Sequence, residues 1–274
     1  MTAIERWRDD LAAWAIPEAI LANAPESPYG FPAEPFRRRA QVARITPRTP
    51  TTERAREALP PHGSVLDVGV GGGATSLPLA DLAVRIIGID ASEGMLEAFA
   101  WASSDAGVTA RGVLGSWPAV APQVEACDVA VAGHVLYNVA DIEPFVRAMD
   151  EHARHRVVLE LTAGHPLAWM NDLWRRFHDV VRPERPTAGG AVEAIAELGF
   201  DAEAEERLHE ETAGGFERRE DAVALIRRRL CLPSERDDDI AEALGDRLRE
   251  VGGSWSAGPA AQVVVTLWWD TSRR

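Results

Sequence analysis

The order of apolar and polar positions predicts short buried strands that alternate with amphipathic helices. Apolar, β-branched runs bounded by glycine, proline or charged residues predict the strands, and apolar residues at intervals of three and four predict the helices. This alternation is typical of an α/β protein built on a mainly parallel sheet. The predicted strands cover residues 65–68, 85–90, 108–114, 127–133, 156–162, 200–209 and 262–269.

The first 60 residues precede this alternation and predict a helical cover. Ile4, Trp7 and Leu11 recur close to the helical period, so an amphipathic helix is expected there. Residues 25–35 contain four prolines, which excludes a regular helix or a central strand and predicts an extended arm. We therefore expect a cover and arm over residues 1–60 and one main domain over residues 61–274.

Two helical patterns, at 218–232 and 235–251, precede the last predicted strand. They predict a helical insertion at about 213–253 that acts as a lid or as a contact in a homodimer, and the N-terminal helices are a second surface for such a contact. Three consecutive arginines at 227–229 predict a solvated helix face. Binding of an acidic substrate or of RNA by these arginines is the alternative.

Residues 65–80 consist of a short apolar run, a glycine-rich turn and a predicted helix, in that order. Such a turn lets the backbone pass close to a ligand. Gly69, Gly71 and Ala74, with Asp90 after the second strand, fit a dinucleotide fingerprint. A turn without a ligand is a further alternative.

The same turn also carries Asp67, two residues before Gly69, and Gly73. With Gly69 and Gly71 these residues resemble motif I of the class I S-adenosylmethionine-dependent methyltransferases. A carboxylate in a buried strand costs free energy unless a partner satisfies it, and a pyrophosphate site gives no reason for one. We therefore favour the methyltransferase interpretation over a nicotinamide-dependent oxidoreductase.

The resemblance implies a Rossmann-like α/β fold, a seven-stranded sheet in the order 3-2-1-4-5-7-6, and S-adenosylmethionine as cofactor, with S-adenosylhomocysteine as product. It implies that Asp90 binds the ribose hydroxyls and that Met95, shortly after Ala91, lies against the adenine. Ser116 stands where the family often has an aspartate that binds the adenine amino group, and Trp117 either stacks on that ring or packs in the core. The implied cofactor-binding set is Asp67, Gly69, Gly71, Gly73, Asp90, Ala91, Met95, Ser116, Trp117 and His134.

His134 follows the fourth predicted strand, at the end of the sheet where open α/β proteins bind ligands. An imidazole exchanges a proton near neutral pH, so His134 is the candidate general base; hydrogen bonding to the cofactor is the alternative. Glu160 is expected on the same substrate side, after the fifth strand. The other substrate-side candidates are Tyr29, Phe31, Phe36, Arg37, Tyr137, Asn138 and His165.

Composition narrows the class of partner. The net charge of −14 and the pI near 5.0 argue against extensive contact with a phosphate backbone. Two cysteines and the lack of clustered carboxylates predict neither a disulfide framework nor a metal site. Because charged residues interrupt the N-terminal apolar pattern and no long apolar run follows, we expect a cytoplasmic protein without a membrane contact.

These observations predict an enzyme that transfers a methyl group in line to an oxygen or nitrogen of a small molecule. The alternatives are an RNA methyltransferase and a non-catalytic protein that binds S-adenosylmethionine. A nicotinamide-dependent oxidoreductase would need a catalytic domain that the sequence does not predict.

Overall fold

The computed structural model describes residues 1–45, 48–211 and 215–271. The strands are β1 (Gly63–Val68), β2 (Ala83–Asp90), β3 (Thr109–Leu114), β4 (Cys127–Gly133), β5 (Ala153–Thr162), β6 (Glu203–Glu210), β7 (Leu248–Val251), β8 (Ser254–Ala257) and β9 (Ala261–Asp270). The helices are α1 (Ala3–Ala12), α2 (Glu18–Leu21), α3 (Ala33–Ile45), α4 (Pro50–Ala58), α5 (Glu93–Ala106), α6 (Ile142–His152), α7 (Asn171–His178), α8 (Ala188–Glu197), α9 (Arg219–Arg229) and α10 (Asp237–Leu244).

Seven strands form one sheet in the order β3-β2-β1-β4-β5-β9-β6. The strands from β1 to β5 pair in parallel, and β9 runs antiparallel between β5 and β6. The predicted order is thereby confirmed, with β9 in the place of the seventh strand. Because parallel strands end on the same edge, the residues that follow β1, β2 and β4 meet at one end of the sheet.

Each face of the sheet is covered by its own apolar layer. One layer joins Trp7 of α1, Phe145 of α6 and Ile195 of α8 to the sheet. The other joins Ala55 of α4 and Phe99 of α5 to the opposite face. Burial of both faces explains why the parallel strands are nearly continuous apolar runs.

Two predicted helices are wrong in part. After the glycine turn the chain makes only a 3₁₀ turn at Leu77–Leu79 instead of a helix. Pro78 has no N–H to donate to an α-helical ladder, and its position accounts for the short turn. The second helical pattern of the insertion ends at Leu244, and the chain then forms the β7–β8 hairpin.

The insertion packs on a third apolar cluster. This cluster includes Met170 just before α7, Trp174 within α7, Ile226 of α9 and Ile240 of α10. Residues 213 and 214 of the predicted insertion, and residues 272–274 at the end of the predicted main domain, lie outside the described residues. Across the described residues, none of the helices combines the length and the apolar character that a membrane crossing requires.

Candidate active site

The glycine turn follows β1 and contacts the ends of β2 and β4. Gly69, Gly71 and Gly73 have φ values of 72°, 52° and 91°, a region that glycine adopts without steric cost. The Gly69 amide donates to the carbonyl of Ile89, 2.8 Å away, which ties the turn to β2. A Cβ on Gly69 would lie 2.4 Å from Val135 Cγ2, so the turn also packs directly against the exit of β4.

Asp90 is oriented by main-chain groups on both sides. Its Oδ2 accepts the Gly71 amide and its Oδ1 accepts the Ser92 amide, each at 2.9 Å. The side chain remains half-buried at the end of β2. Each carboxylate oxygen can accept more than one hydrogen bond, so Asp90 retains acceptor capacity for hydroxyl groups of a ligand.

Asp67 is fully buried beneath the same turn. Within the described residues, neither of its carboxylate oxygens has a hydrogen-bond partner, and the Ser76 hydroxyl is also unpaired. Burial raises the pKa of Asp67 to about 7; the nearby Ser76 opposes this effect, and the Asp90 carboxylate adds to it. The turn therefore lies over a buried carboxyl group near Ser76 that makes no hydrogen bond of normal geometry among the described residues.

His134 and Glu160 form a polar pair at the exit of β4. His134 Nε2 lies 3.2 Å from Glu160 Oε1, and the His134 amide donates to the Glu160 carbonyl at 2.7 Å. The other carboxylate oxygen of Glu160 accepts the Thr51 hydroxyl, which lies 2.7 Å from the Thr266 hydroxyl. The His134 side chain is 47% exposed, whereas that of Glu160 is 15% exposed. One end of the pair is thus anchored in the protein and the other faces solvent.

The pair is electrostatically asymmetric. Burial raises the pKa of Glu160, but the hydrogen bond and charge of His134, with Thr51 and Arg207, outweigh burial and lower that pKa to about 2. Glu160 is therefore an anion at neutral pH. A fixed anion beside an imidazole stabilises the imidazolium that forms when the ring accepts a proton.

The remaining predicted cofactor residues divide between accessible and packed positions. Ala91 and Ser116 are exposed at the ends of β2 and β3. Met95 is 6% exposed in the first turn of α5. Trp117 packs against the apolar layer of α6, and its Nε1 donates to the Phe145 carbonyl at 3.2 Å. Of the two roles predicted for Trp117, its packing favours the core.

Two substrate-side predictions need correction because the side chains are engaged elsewhere. Tyr137 is 5% exposed and donates its hydroxyl to the Thr162 carbonyl at 2.6 Å, so it is a core residue. Arg37 pairs with Glu34 at 2.6 Å and lies over the ring of Trp101, 4.9 Å from its centroid. Arg37 therefore faces α5 and not the exits of β1 and β4.

His165 is also held by its neighbours. It stacks on Trp14 with ring centroids 3.6 Å apart, and burial lowers its pKa to about 4, with a smaller contribution from Arg182. His165 borders a surface cleft of about 320 Å³ together with Trp169 and Val263. With this low pKa, His165 stays neutral at physiological pH and is too weak a base to take a proton there.

The predicted arm residues and Asn138 are more accessible. Tyr29 and Phe31 are 56% and 51% exposed, and Asn138 is exposed beside His134. Phe36 of α3 lies on the glycine turn: a Cβ on Gly71 would be 3.0 Å from Phe36 Cδ1. Helix α3 thus packs against the glycine turn through Phe36.

The prediction that the three arginines of α9 form a solvated helix face is wrong. Arg227 is 12% exposed in its side chain and pairs with Glu26 and Asp237 at 2.7 and 3.0 Å. Arg229 donates to the carbonyls of Pro28 and Gly30 at 2.6 and 2.9 Å. These arginines fasten the proline-rich arm to α9, so their donors are not free for RNA or an acidic substrate.

Sequence reasoning missed the side chains that surround the His134–Glu160 pair. Thr51 of α4 donates its hydroxyl to Glu160, while Thr49 caps the helix. Arg207 was not singled out. The only signal for Arg207 was its alternation with Glu205 and His209 along a poorly patterned strand.

A glycine turn with an acid at the end of the next strand and a polar exit of β4 is typical of α/β proteins that bind an adenosyl-type ligand at the carboxyl edge of the sheet. Residues 65–156 match a family described as a methyltransferase domain. The matched segment and the strand order are those expected of a class I S-adenosylmethionine-dependent methyltransferase domain. The match favours the methyltransferase motif over the dinucleotide fingerprint for the glycine turn.

Similar proteins agree with this class. The chain is 28% identical over 170 residues to a ubiquinone biosynthesis O-methyltransferase of Mesorhizobium japonicum, covering 56% of this chain and 67% of that protein. It is 29% identical over 173 residues to one of Rhizobium rhizogenes, with the same coverage. The fold resembles a Bacillus halodurans C-125 protein assigned as a methyltransferase, with a TM-score of 0.52, 13% identity and coverage of 81% and 97% of the two chains.

Proposed function

We propose that this protein transfers a methyl group from S-adenosylmethionine to a hydroxyl oxygen of a small molecule. The observation that carries the proposal is the His134–Glu160 pair, 3.2 Å apart, on a strand exit that packs against the glycine turn. A hydroxyl is a poor nucleophile until it loses its proton, so an O-methyltransferase benefits from a base at this position. The relatives named as O-methyltransferases support the same acceptor atom.

The residues around the turn fit the cofactor. Asp90 offers an oriented carboxylate for a ribose diol, and Gly69 to Gly73 allow close approach of the backbone. Asp67 lies fully buried beneath the turn, where a nearby cationic ligand would favour its ionised form. When bound, S-adenosylmethionine supplies an electrophilic methyl group on a cationic sulfur.

His134 would take the acceptor proton. Because Nε2 faces the Glu160 carboxylate, the neutral ring holds its proton on Nε2 and leaves Nδ1 as the lone-pair atom. The O–H proton of the acceptor moves to Nδ1, and the anionic Glu160 stabilises the resulting imidazolium. Thr51 holds Glu160 in place through its hydroxyl. Placing the oxygen in line with the methyl carbon, about 3 to 3.5 Å away, is the remaining task of the site.

We also propose that residues 1–60 and the insertion after residue 213 cover the acceptor as one unit. The hydrogen bonds of Arg229 to Pro28 and Gly30, and the pairs of Arg227, support this because they tie the arm to α9. Exclusion of water from the acceptor oxygen is the expected benefit. The net charge of −14 favours a small molecule over RNA as the acceptor.

The test separates catalysis from cofactor binding at His134. Catechol and hydroxybenzoate acceptors are incubated with the protein and S-adenosylmethionine, and released S-adenosylhomocysteine is quantified. His134→Ala should lower kcat on the order of 100-fold or more, the range of general-base contributions. Its dissociation constant for S-adenosylhomocysteine should change little.

Glu160→Gln is the companion variant, because it keeps the shape and removes the charge. It should lower kcat, but less than His134→Ala does. Asn138→Ala, on an exposed neighbour of His134, is the control and should retain cofactor binding. A parallel loss of cofactor affinity and activity in His134→Ala would make His134 a binding residue and contradict its role as a base.

A further inference from the structure

The surface cleft of about 320 Å³ lies at the carboxyl end of β5, on the edge of the sheet that carries the candidate site. Its walls are formed by residues 162–166, Trp169, Pro259, Gln262 and Val263. They come from the end of β5 and the loop after it, and from the chain at the start of β9. The volume falls within the range of about 300–1000 Å³ that small-molecule sites have.

The strands connect this cleft to the His134–Glu160 pair. Glu160 and Thr162 are two residues apart in β5, so their side chains lie on the same face of the sheet, about 7 Å apart along the strand. Thr162 lines the cleft. On the neighbouring strand, Thr266 lies opposite Glu160, and Gln262 of the cleft shares the face of Thr266. The cleft and the pair therefore belong to one continuous surface.

Tyr137 joins the wall of the cleft to the loop that carries His134. Its hydroxyl donates to the Thr162 carbonyl at 2.6 Å, and its ring lies edge-on to that of His165, with centroids 5.3 Å apart. Thr162 and His165 both line the cleft, and His165 is also stacked on Trp14. These contacts fix the position of the cleft wall relative to the loop of His134.

The described side chains that line the cleft are all uncharged at physiological pH. Trp169, Pro166, Pro259 and Val263 are apolar, and His165 is neutral because burial holds its pKa near 4. A carboxylate or phosphate placed among them would lose hydration without gaining an ionic partner. The lining therefore favours an uncharged ligand.

Two side chains of the cleft can orient a ring. Trp169 is half-buried, and Arg247 holds it: the guanidinium carbon lies 5.7 Å from the indole centroid, and Nη1 donates to the Trp169 carbonyl at 3.1 Å. The charge of Arg247 is matched by Asp172 at 2.8 Å. A fixed indole is a surface for stacked or edge-on contact with an aromatic ring. Gln262 is half-buried, and its side-chain amide makes no hydrogen bond in the described part of the chain, so it can donate to or accept from a ligand.

We propose that this cleft binds the methyl acceptor and that the acceptor is an uncharged aromatic hydroxyl compound. Its ring packs on Trp169, and Gln262 forms a hydrogen bond to a polar substituent of the ring. The hydroxyl that receives the methyl group is directed along β5 toward His134. The inference rests on the proposed function and adds the chemical class of the substrate and the residues that bind it.

The test measures acceptor binding separately from methyl transfer. Isothermal titration compares methyl 3,4-dihydroxybenzoate with 3,4-dihydroxybenzoate, and catechol with cyclohexane-1,2-diol, for the protein with and without S-adenosylhomocysteine. The ester should bind on the order of tenfold more tightly than the acid, because the carboxylate loses hydration in an uncharged cleft. Catechol should bind severalfold more tightly than the saturated diol. Trp169→Leu should weaken binding of the ester about three- to tenfold, and Trp169→Phe should restore part of the loss.

A charge introduced into the cleft provides a second test that does not alter the packing of Trp169. Gln262→Arg places a cation there, so the acid should then bind more tightly than the ester. Val84→Arg is the matched control, because it adds the same charge at an exposed position at the start of β2, at the opposite end of the sheet. It should keep the preference for the ester. Trp101→Leu, which removes an exposed tryptophan from α5, should leave binding of the ester unchanged.

Thermal unfolding should show that each variant is folded. Binding of the acid as tightly as the ester, equal binding of catechol and the saturated diol, or absence of binding by all four compounds would overturn the proposal. So would equal effects of Trp169→Leu and Trp101→Leu, or a preference for the ester that persists in Gln262→Arg. Ring binding as expected, without methyl transfer from S-adenosylmethionine, would contradict the proposed function alone. Methyl transfer to catechol that both Trp169→Leu and Gln262→Arg leave unchanged would contradict this inference alone.

Discussion

Substitution of Asp67 by asparagine tests the claim that the glycine turn covers an unpartnered carboxyl group. The folded pKa of about 7 lies above the ordinary value of 3.8. At 1.36 kcal/mol per pKa unit, this difference lowers the free energy of unfolding by about 4 kcal/mol above pH 7. Below pH 3.8 both states are protonated and this cost disappears. Stability is therefore lost as the pH rises from 3.8 through 7.

Asp67→Asn removes the titrating group, so the stability difference between variant and wild type should depend on pH. Between about pH 5 and pH 8 the variant should gain about 3 kcal/mol relative to wild type. The contacts of the new amide, which cost about 1–3 kcal/mol if unpaired, are the same at both pH values and cancel in the comparison. Urea unfolding of the cofactor-free protein at several pH values provides the measurement.

Asp172→Asn is the control, because Arg247 counters the effect of burial and lowers the pKa of Asp172. Asp172 contributes stability that is present above its ordinary pKa and lost only in stronger acid, so its variant should be destabilised equally at about pH 5 and pH 8. If Asp67→Asn also gave a constant difference, Asp67 would be ionised in the folded protein. The account of a buried, unpaired carboxyl would then be wrong.

Three other substitutions test separate parts of the structure. His165→Phe should lose less stability relative to wild type at pH 5 than at pH 8. The reason is that the pKa of His165, about 4 in the folded protein, lowers the stability of the wild type by up to about 3 kcal/mol as the pH falls below 6.5. A difference that does not depend on pH in urea unfolding would contradict this. Gly69→Ala, at a φ of 72° and with its Cβ 2.4 Å from Val135 Cγ2, should lower the unfolding free energy by at least about 1–2 kcal/mol, and an unchanged midpoint would refute the packing described. Arg229→Gln should speed chymotryptic cleavage at Phe31, because the arm loses its hydrogen bonds to α9; an unchanged digestion rate would argue against that attachment.

The sequence predicts those parts of the fold that local patterns determine. The apolar run of β1, the glycines after it and Asp90 at the end of β2 lie close together in the chain, so their arrangement follows from strand and turn chemistry alone. The strand order followed from the resemblance and is confirmed. The β7–β8 hairpin was missed because Ile240, Leu244 and Leu248 continue a helical spacing. Gly252 and Gly253, both with positive φ, form its turn and were the overlooked signal.

The surroundings of the site could not be predicted in the same way. Thr51 and Glu160 are 109 residues apart, and their contact depends on α4 packing across β5. The cleft beside Trp169 likewise joins the end of β5 to the start of β9, and only the antiparallel pairing of these two strands brings its walls together.

The central claim, that the turn and Asp90 hold an adenosyl cofactor, is tested most directly by calorimetric titration of the protein with S-adenosylhomocysteine and, separately, with NAD. We expect binding of S-adenosylhomocysteine alone, and a loss of affinity on the order of tenfold or more in Asp90→Ala, since a charged acceptor of hydrogen bonds is removed. Binding of NAD instead, or unchanged affinity in Asp90→Ala, would contradict the account.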